Sequence, residues 1–460
     1  MFKYTGHMFV DVGIAVMENM CHKACEEFTD QDMVDVGEEL QLLYAQKVLS
    51  GYLTIHFPNS GWCNPTIGEE KKREFFNEVL GSYGESGIKP RRRCAFCEND
   101  ANLLANRKHI PLLTGEKTIN NAPTGSKPGL PVCGYCIMAI QFYPLGTLKV
   151  EGKPLFWWST DQKWTRMLVK DTYLKVRQVL ALNLDKLPSF SWPRTRLLQV
   201  AQEVLEKVTD DEAQVDLIAY HLTNYGASPD YATFVLPQAL LGYLQAITVA
   251  PENVRIAHSH IVGKNWEVLK KGKPDPIAEV LFKQANRNFY YEALVRLVQG
   301  SHREGFGLIR RFFLQRKKEF MNFNNYELTA LFLRKVMDLE VKRLQLIKEL
   351  ADNIMQTLVL GNSEKRWLAE LYNKQLRPGE FLRYLIRVQK RLSERGAAFA
   401  YEDVLCILNL ESEEELVGRD SWLVQDLMLI RMLEVAAKQA TELVADLEDK
   451  DNQEAKEEDE

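Results

Sequence analysis

From Tyr326 onward the apolar positions Phe332, Val336, Leu339, Leu346, Leu350, Ile354 and Leu358 recur at steps of three, four and seven, drawing one stripe along a helix. Gly361 ends the stripe, and Ser363 reads as the next helix start. A second helix runs to about Asn373, a third follows the break at Arg377-Pro378-Gly379-Glu380, and a fourth starts near Asp420 and passes Ala437. Four antiparallel helices with short connections predict a bundle. The first 90 residues mix helical patterns with one short strand expected at Tyr52–Phe57. Leu148–Trp158 predicts two short strands around the turn-prone Lys149-Val150-Glu151-Gly152-Lys153. Residues 171–250 read as helical, broken at Leu187–Pro193 and again at Thr223–Pro229. The expected fold class is α+β. A mixed N-terminal domain (1–170) carries an inserted cysteine module (about 89–146), followed by a mostly helical basic region (171–320), a helical bundle (321–448) and a disordered acidic tail (449–460).

Composition narrows the class. A chain of 460 residues with 46% hydrophobic content can bury several cores. It has no apolar run of 18 residues, and the stretch Met8–Met17 is interrupted by Asp11 and lacks a signal-peptide layout, so the expected location is cytoplasmic, with no membrane partner. The net charge of −5 conceals a division. Residues 401–460 hold 19 acidic and five basic residues, a balance of −14, which leaves +9 on residues 1–400. A basic body favours a polyanionic partner, whereas an acidic end is a solvating tail.

The strongest chemical signal is a double cysteine pair. Cys94-Ala95-Phe96-Cys97 is followed, after 35 intervening residues, by Cys133-Gly134-Tyr135-Cys136. Each C-x2-C sets two sulfurs on one tight turn, and two such turns supply the four thiolates of a structural zinc site. Zinc ribbons usually separate their knuckles by about 15–20 residues, so the insert must loop away from the metal. From Lys89 to Cys136 there are eight Lys or Arg, including Arg91, Arg92, Arg93, Arg107, Lys108 and Lys127, against three acidic residues. A basic loop pinned at both ends can present donors to phosphates, or it can simply be solvated. Cys21-His22-x-x-Cys25 has helical spacing and no partner pair. His7 and His56 read as structural.

The largest basic tract is Lys264–Lys318, with 13 basic and five acidic residues. It includes Lys270, Lys271, Lys273, Arg310, Arg311, Arg316, Lys317 and Lys318, interleaved with Trp266, Tyr290 and Tyr291. A helix there is expected to bury Phe312-Phe313-Leu314 and to turn its charge outward. Arg383, Arg387, Lys390 and Arg391 line one side of the helix after Pro378. Phe156-Trp157-Trp158 reads as core more readily than as a base-stacking cluster. Catalytic patterns are missing. A zinc deaminase needs H-x-E ahead of its cysteines and an open metal position, but the one H-x-E, His302-Arg303-Glu304, lies about 170 residues past them and the second cysteine pair fills the fourth site. His258 and His260 leave a metal-dependent nuclease open as one alternative, and a zinc-stapled scaffold for protein partners as another.

Several stretches together resemble one family. They are Thr5-Gly6-x-x-x-Val10-Asp11-x-Gly13-Ile14, the two cysteine pairs with Ile110-Pro111-Leu112-Leu113 and Asn120 between them, Pro144-Leu145-Gly146, and His221-x-Thr223-Asn224-Tyr225-Gly226. This pattern resembles the CRISPR-associated CXXC-CXXC family, the large subunit of type I-B Cascade effector complexes. The resemblance implies a non-catalytic subunit of a crRNA-guided complex. It would recognise the protospacer-adjacent motif in duplex DNA, help open the R-loop and help recruit a nuclease-helicase or, in a transposon-linked system, transposition proteins. It also implies partners in the crRNA, target DNA and its displaced strand, and the backbone, crRNA-end-binding and small subunits. A small subunit can arise from an internal start in such genes, with Met321 or Met337 as candidates. Asn120, Asn121, Thr124 and Lys127 in the insert, with Asn224 and Tyr225, are the candidate motif readers, because small amides and glycines allow close approach to base edges.

Overall fold

The computed structural model describes residues 2–85, 87–88, 91–113, 129–182, 184–207, 215–223, 230–268, 276–282, 284–297, 302–397, 399–408 and 417–439. The chain is mixed α+β and divides into two compact units. One comprises Met1–Gln238 with Glu267–Arg287, the other Ala239–Trp266 with Asn288–Glu460. In chain order the elements are α1 (Met8–Cys21), α2 (Asp30–Tyr44), α3 (Lys47–His56), α4 (Glu69–Phe76), β1 (Leu103–Ala105), β2 (Leu130–Val132), α5 (Gly134–Phe142), β3 (Leu148–Val150), β4 (Lys153–Trp158), α6 (Gln162–Ala181), α7 (Pro193–Leu205), β5 (Leu217–Thr223) and β6 (Asp230–Leu236). They continue with α8 (Gln238–Thr248), α9 (Glu252–Lys264), α10 (Pro276–Phe282), α11 (Phe289–Leu297), α12 (His302–Leu308), α13 (Tyr326–Val336), α14 (Val341–Asn353), α15 (Arg366–Asn373), α16 (Pro378–Ser393), α17 (Tyr401–Leu408) and α18 (Val417–Gln439). No helix among the described residues is long and apolar enough to cross a membrane.

The first unit is built around α1, whose residues Phe9 to Met17 are all buried. A helix apolar on every face belongs inside. Gly13 lets α5 press onto it, since a Cβ there would sit 1.8 Å from the carbonyl oxygen of Ala139. The one buried acid of α1, Asp11, is fully engaged. Its carboxylate accepts hydrogen bonds from Thr5 N (2.7 Å), Gly6 N (3.1 Å) and the Trp158 indole (3.0 Å), tying the N-terminal turn to β4. Desolvation raises its pKa, and these donors offset only part of that rise. The stretch Thr5 to Gly13 is thereby explained by packing.

Two sheets are present among the described residues: β1 pairs antiparallel with β2, and β3-β4-β5-β6 form an antiparallel sheet. The expected hairpin at 148–158 is there, turning at Glu151 (φ 49°) and Gly152 (φ 78°). Two positive φ values in a two-residue loop match the twist of the flanking strands. His221 on β5 reaches across β4, its Nε2 lying 2.8 Å from the Val150 carbonyl oxygen.

Two sequence expectations are corrected here. Tyr52–His56 is helical, because Val48, Leu49, Tyr52, Leu53 and His56 recur at helical spacing on the buried side of α3, and this packing overrides the β-leaning residue types. Residues 171–250 are not all helical. After α7 the chain forms β5 and β6, whose short apolar runs carry no periodicity that separates strand from helix. Arg196 on α7, fully buried, donates to the carbonyls of Ser191, Gln284, Ala285 and Asn286 and so fastens the returning segment after α10.

In the second unit α18 is the buried axis, with Leu423, Val424, Leu427, Met428, Ile430, Met432 and Leu433 almost inaccessible. The stripe expected as one helix from Phe332 to Leu358 is two helices. Asp338 adopts φ 54° and ends α13, and Leu339 N bonds back to Leu333 O. α16 starts where the Arg-Pro-Gly-Glu break predicts, with Arg377 N donating to the Glu380 carboxylate at 2.9 Å. α17 is an additional helix that the sequence pattern did not suggest. The acidic tail lies outside the described residues.

Candidate metal centre and basic surfaces

Local geometry builds the two knuckles separately. In the first, Cys94 N donates to Asn99 O (2.7 Å), Glu98 N donates to Cys94 O (3.1 Å), Glu98 takes φ 63°, and Phe96 N points at Cys94 Sγ (3.4 Å). In the second, Cys133 caps α5, with Cys136 N at 3.4 Å from Cys133 Sγ, so the thiol sits at a helix N-terminus where a thiolate is stabilised. The β1–β2 pair and the bonds Ala95 N to Pro131 O and Asn102 N to Val132 O (both 2.9 Å) bring the knuckles together. Asn102 completes the arrangement, accepting from Gly134 N and donating to Glu85 O, each at 2.8 Å. Sequence reasoning missed Asn102, because a lone asparagine carries no signal of its own. Gly134 is required here, since a Cβ would meet Tyr83 N at 2.2 Å.

The outcome is one cluster. The sulfurs of Cys94, Cys97, Cys133 and Cys136 all lie within 4.8 Å of one another, and none is in a disulfide. The Cys97–Cys133 sulfur separation is 3.4 Å. A tetrahedral zinc with bonds of about 2.3 Å sets its sulfurs about 3.8 Å apart, so the donor set fits. Four thiols this close share protons unequally. Hydrogen bonds from Cys133, Cys136 and Cys97 hold Cys94 far below the usual thiol range, those from Cys133 and Cys136 bring Cys97 to about 7, and those with Cys133, Cys94 and Cys97 push Cys136 up. A dication would convert them all to thiolates. His7 packs its ring 4.3 Å from that of Phe96 within the first knuckle, and burial drives its pKa down to about 4.

Cys21 and Cys25 are a different case. Burial raises them to about 11 and about 12. Glu18, Cys25 and Glu26 lie close together, but Glu18 already accepts from Arg166 twice, from Tyr4 and from Cys25 N. His258 and His260 diverge on α9. His258 is buried between the rings of Tyr243 and Tyr290, His260 stacks 3.7 Å from Phe323, and no metal-ligand cluster among the described residues includes either.

The basic candidates fall into two settings. Arg91 and Arg93 are exposed and converge on Asp100 at 2.7 and 3.3 Å, while Lys108 is exposed and Arg92 and Arg107 are half-buried. In the second unit Arg310 pairs with buried Asp426 at 3.1 Å and Arg316 donates to Tyr372 O at 3.0 Å. Arg311, Lys317, Arg383 and Arg387 are exposed, with Arg387 bonded to Glu370. Asn120, Asn121, Thr124, Lys127, Asn224, Tyr225, Lys270, Lys271 and Lys273 lie outside the described residues, as does the side chain of Lys318.

No protein-family model matches the chain, and no curated protein matches it.

Proposed function

We propose that this chain is the non-catalytic large subunit of a crRNA-guided type I-B Cascade complex. In that role it binds target DNA, recognises the protospacer-adjacent motif, assists R-loop formation and takes part in recruiting a nuclease-helicase or transposition proteins. The observation that carries the reading is the closure of two C-x2-C knuckles, 35 residues apart, into one four-sulfur cluster at the root of an insert that follows the basic run Arg91-Arg92-Arg93. Cys94, Cys97, Cys133 and Cys136 would hold a structural zinc, which supplies a rigid staple and no open coordination position. The chain's own residues do the rest. The β1–β2 pair and Asn102 hold the insert's roots in register, and exposed Arg91, Arg93 and Lys108 offer charge to phosphates.

The test is reconstitution with crRNA and the companion subunits, then gel shift on duplex DNA with and without the motif. Asn120→Ala with Asn121→Ala is expected to weaken binding to the motif-bearing duplex more than binding to single strands. Equal losses on both would sink the motif-reading role, and no duplex shift by the assembled complex would favour a protein-only scaffold.

A further inference from the structure

Trp422 has no role in the site above. It is 44% exposed, whereas the other tryptophans are buried or half-buried. It stands on α18 one turn before Gln425 and Asp426, and residues three and four apart share a helix face. Both of those residues face inward and are locked. Gln425 holds the main chain of Leu376 from both sides (2.9 and 3.0 Å), and Asp426 pairs with Arg310. Tyr372, one turn of sequence before Leu376, is joined to Arg316 by reciprocal bonds of 3.0 and 3.2 Å. Three segments, 309–317, 372–377 and the start of α18, therefore meet at one rim with Trp422 on it. The exposed side chains of the first two segments are Arg311, Lys317, Lys374 and Arg377, with the neutral Asn373 and Gln375 among them. Among the described acids at this rim, Asp426 is buried in its ion pair and Glu380 already engages Lys374 and Arg377 N.

An exposed indole on a helix joined to two cation-bearing segments has the two parts of a single-strand site: a flat face for a base and charge for the backbone. Aliphatic or acidic partners would use neither. We propose that Trp422 is a base-stacking platform for single-stranded nucleic acid, with Arg311, Lys317 and Arg377 contacting its phosphates. In the effector proposed above the occupant is the displaced DNA strand, an assignment that rests on that reading; the site itself rests on these side chains alone.

The experiment is fluorescence anisotropy of the full chain with labelled oligo(dT), with oligo(rU) and a blunt duplex as competitors. Trp422→Ala is expected to weaken oligo(dT) binding about tenfold, as for loss of one base–aromatic stack. Trp422→Phe should retain most of the affinity, and the blunt duplex should compete poorly. Arg311→Ala with Lys317→Ala should lower the slope of log affinity against log salt by about 0.7 per contact removed. The oligo(rU) arm decides whether the strand is DNA or either nucleic acid. Failure of the wild-type chain to bind oligo(dT), equal affinities of wild type and Trp422→Ala, or a folded Trp422→Phe as weak as the alanine variant would each overturn the site. Wild-type binding that depends on Trp422 in a chain that never assembles with crRNA would sink the Cascade reading and leave this site standing.

Discussion

The arginines beside the first knuckle and those of Ile309–Lys318 look alike as sequence, yet they do different work. Arg91 and Arg93 are 70% and 67% exposed, and their shared partner Asp100 is itself 40% exposed. Such a pair contributes at most about 1 kcal/mol, so a phosphate can replace the carboxylate at little cost. Arg310 answers to an Asp426 that is only 7% exposed. Taking that arginine away strands a buried carboxylate. A run of positive charge therefore states how many cations a segment has, and the position of the nearest acid decides how many are available.

The largest effect expected is on the knuckle side. Chelation of the metal, or Cys94→Ser, should abolish cooperative unfolding of the first unit, because metal binding on the order of 10 kcal/mol is linked to folding in such sites. Calorimetry with and without chelator, alongside metal content, measures this. A chain that unfolds at the same temperature without zinc would remove the staple.

Next in size is Arg310→Met, expected to destabilise by about 3 kcal/mol in denaturant titration. Asp426→Asn should cost far less, since it removes the buried charge itself. If the two cost the same, the asymmetry drawn above fails. The pair also has a pH signature. Burial raises Asp426 from 3.8 to about 6, with Arg310 and Arg316 pulling it down. Between those values the folded state holds more protons than the unfolded one, so this group's contribution to stability falls as pH rises from about 4 to about 6. Asp426→Asn should flatten that segment of the stability curve, and an unchanged slope would place the titration elsewhere.

The smallest effect is at Asp100. Asp100→Asn should move stability by less than about 1 kcal/mol, while strengthening binding to non-specific duplex at low salt by freeing Arg91 and Arg93. A large loss of stability would mean that the exposed pair holds the knuckle together after all.

Much of the four-cysteine cluster was legible in the sequence because each knuckle is a local object: a C-x2-C turn needs only its own residues. The hairpin at Glu151-Gly152 and the start of α16 at Arg377-Pro378 were legible for the same reason, since turn and cap chemistry act within a few bonds. The helical nature of Tyr52–His56 and the strands β5 and β6 were not, because those runs are too short for periodicity to outweigh the surface they pack against. By itself the sequence determined the four cysteines that cluster, the helical character from Tyr326 onward and the division of charge between body and tail. Tertiary structure alone decided that Asn102 fastens the knuckles, that Asp11 is a structural anchor, that Arg310 is spent on Asp426, and that Trp422 stands in solvent. Each of those depends on residues distant in the chain arriving within about 3 Å or failing to arrive, which no local pattern records.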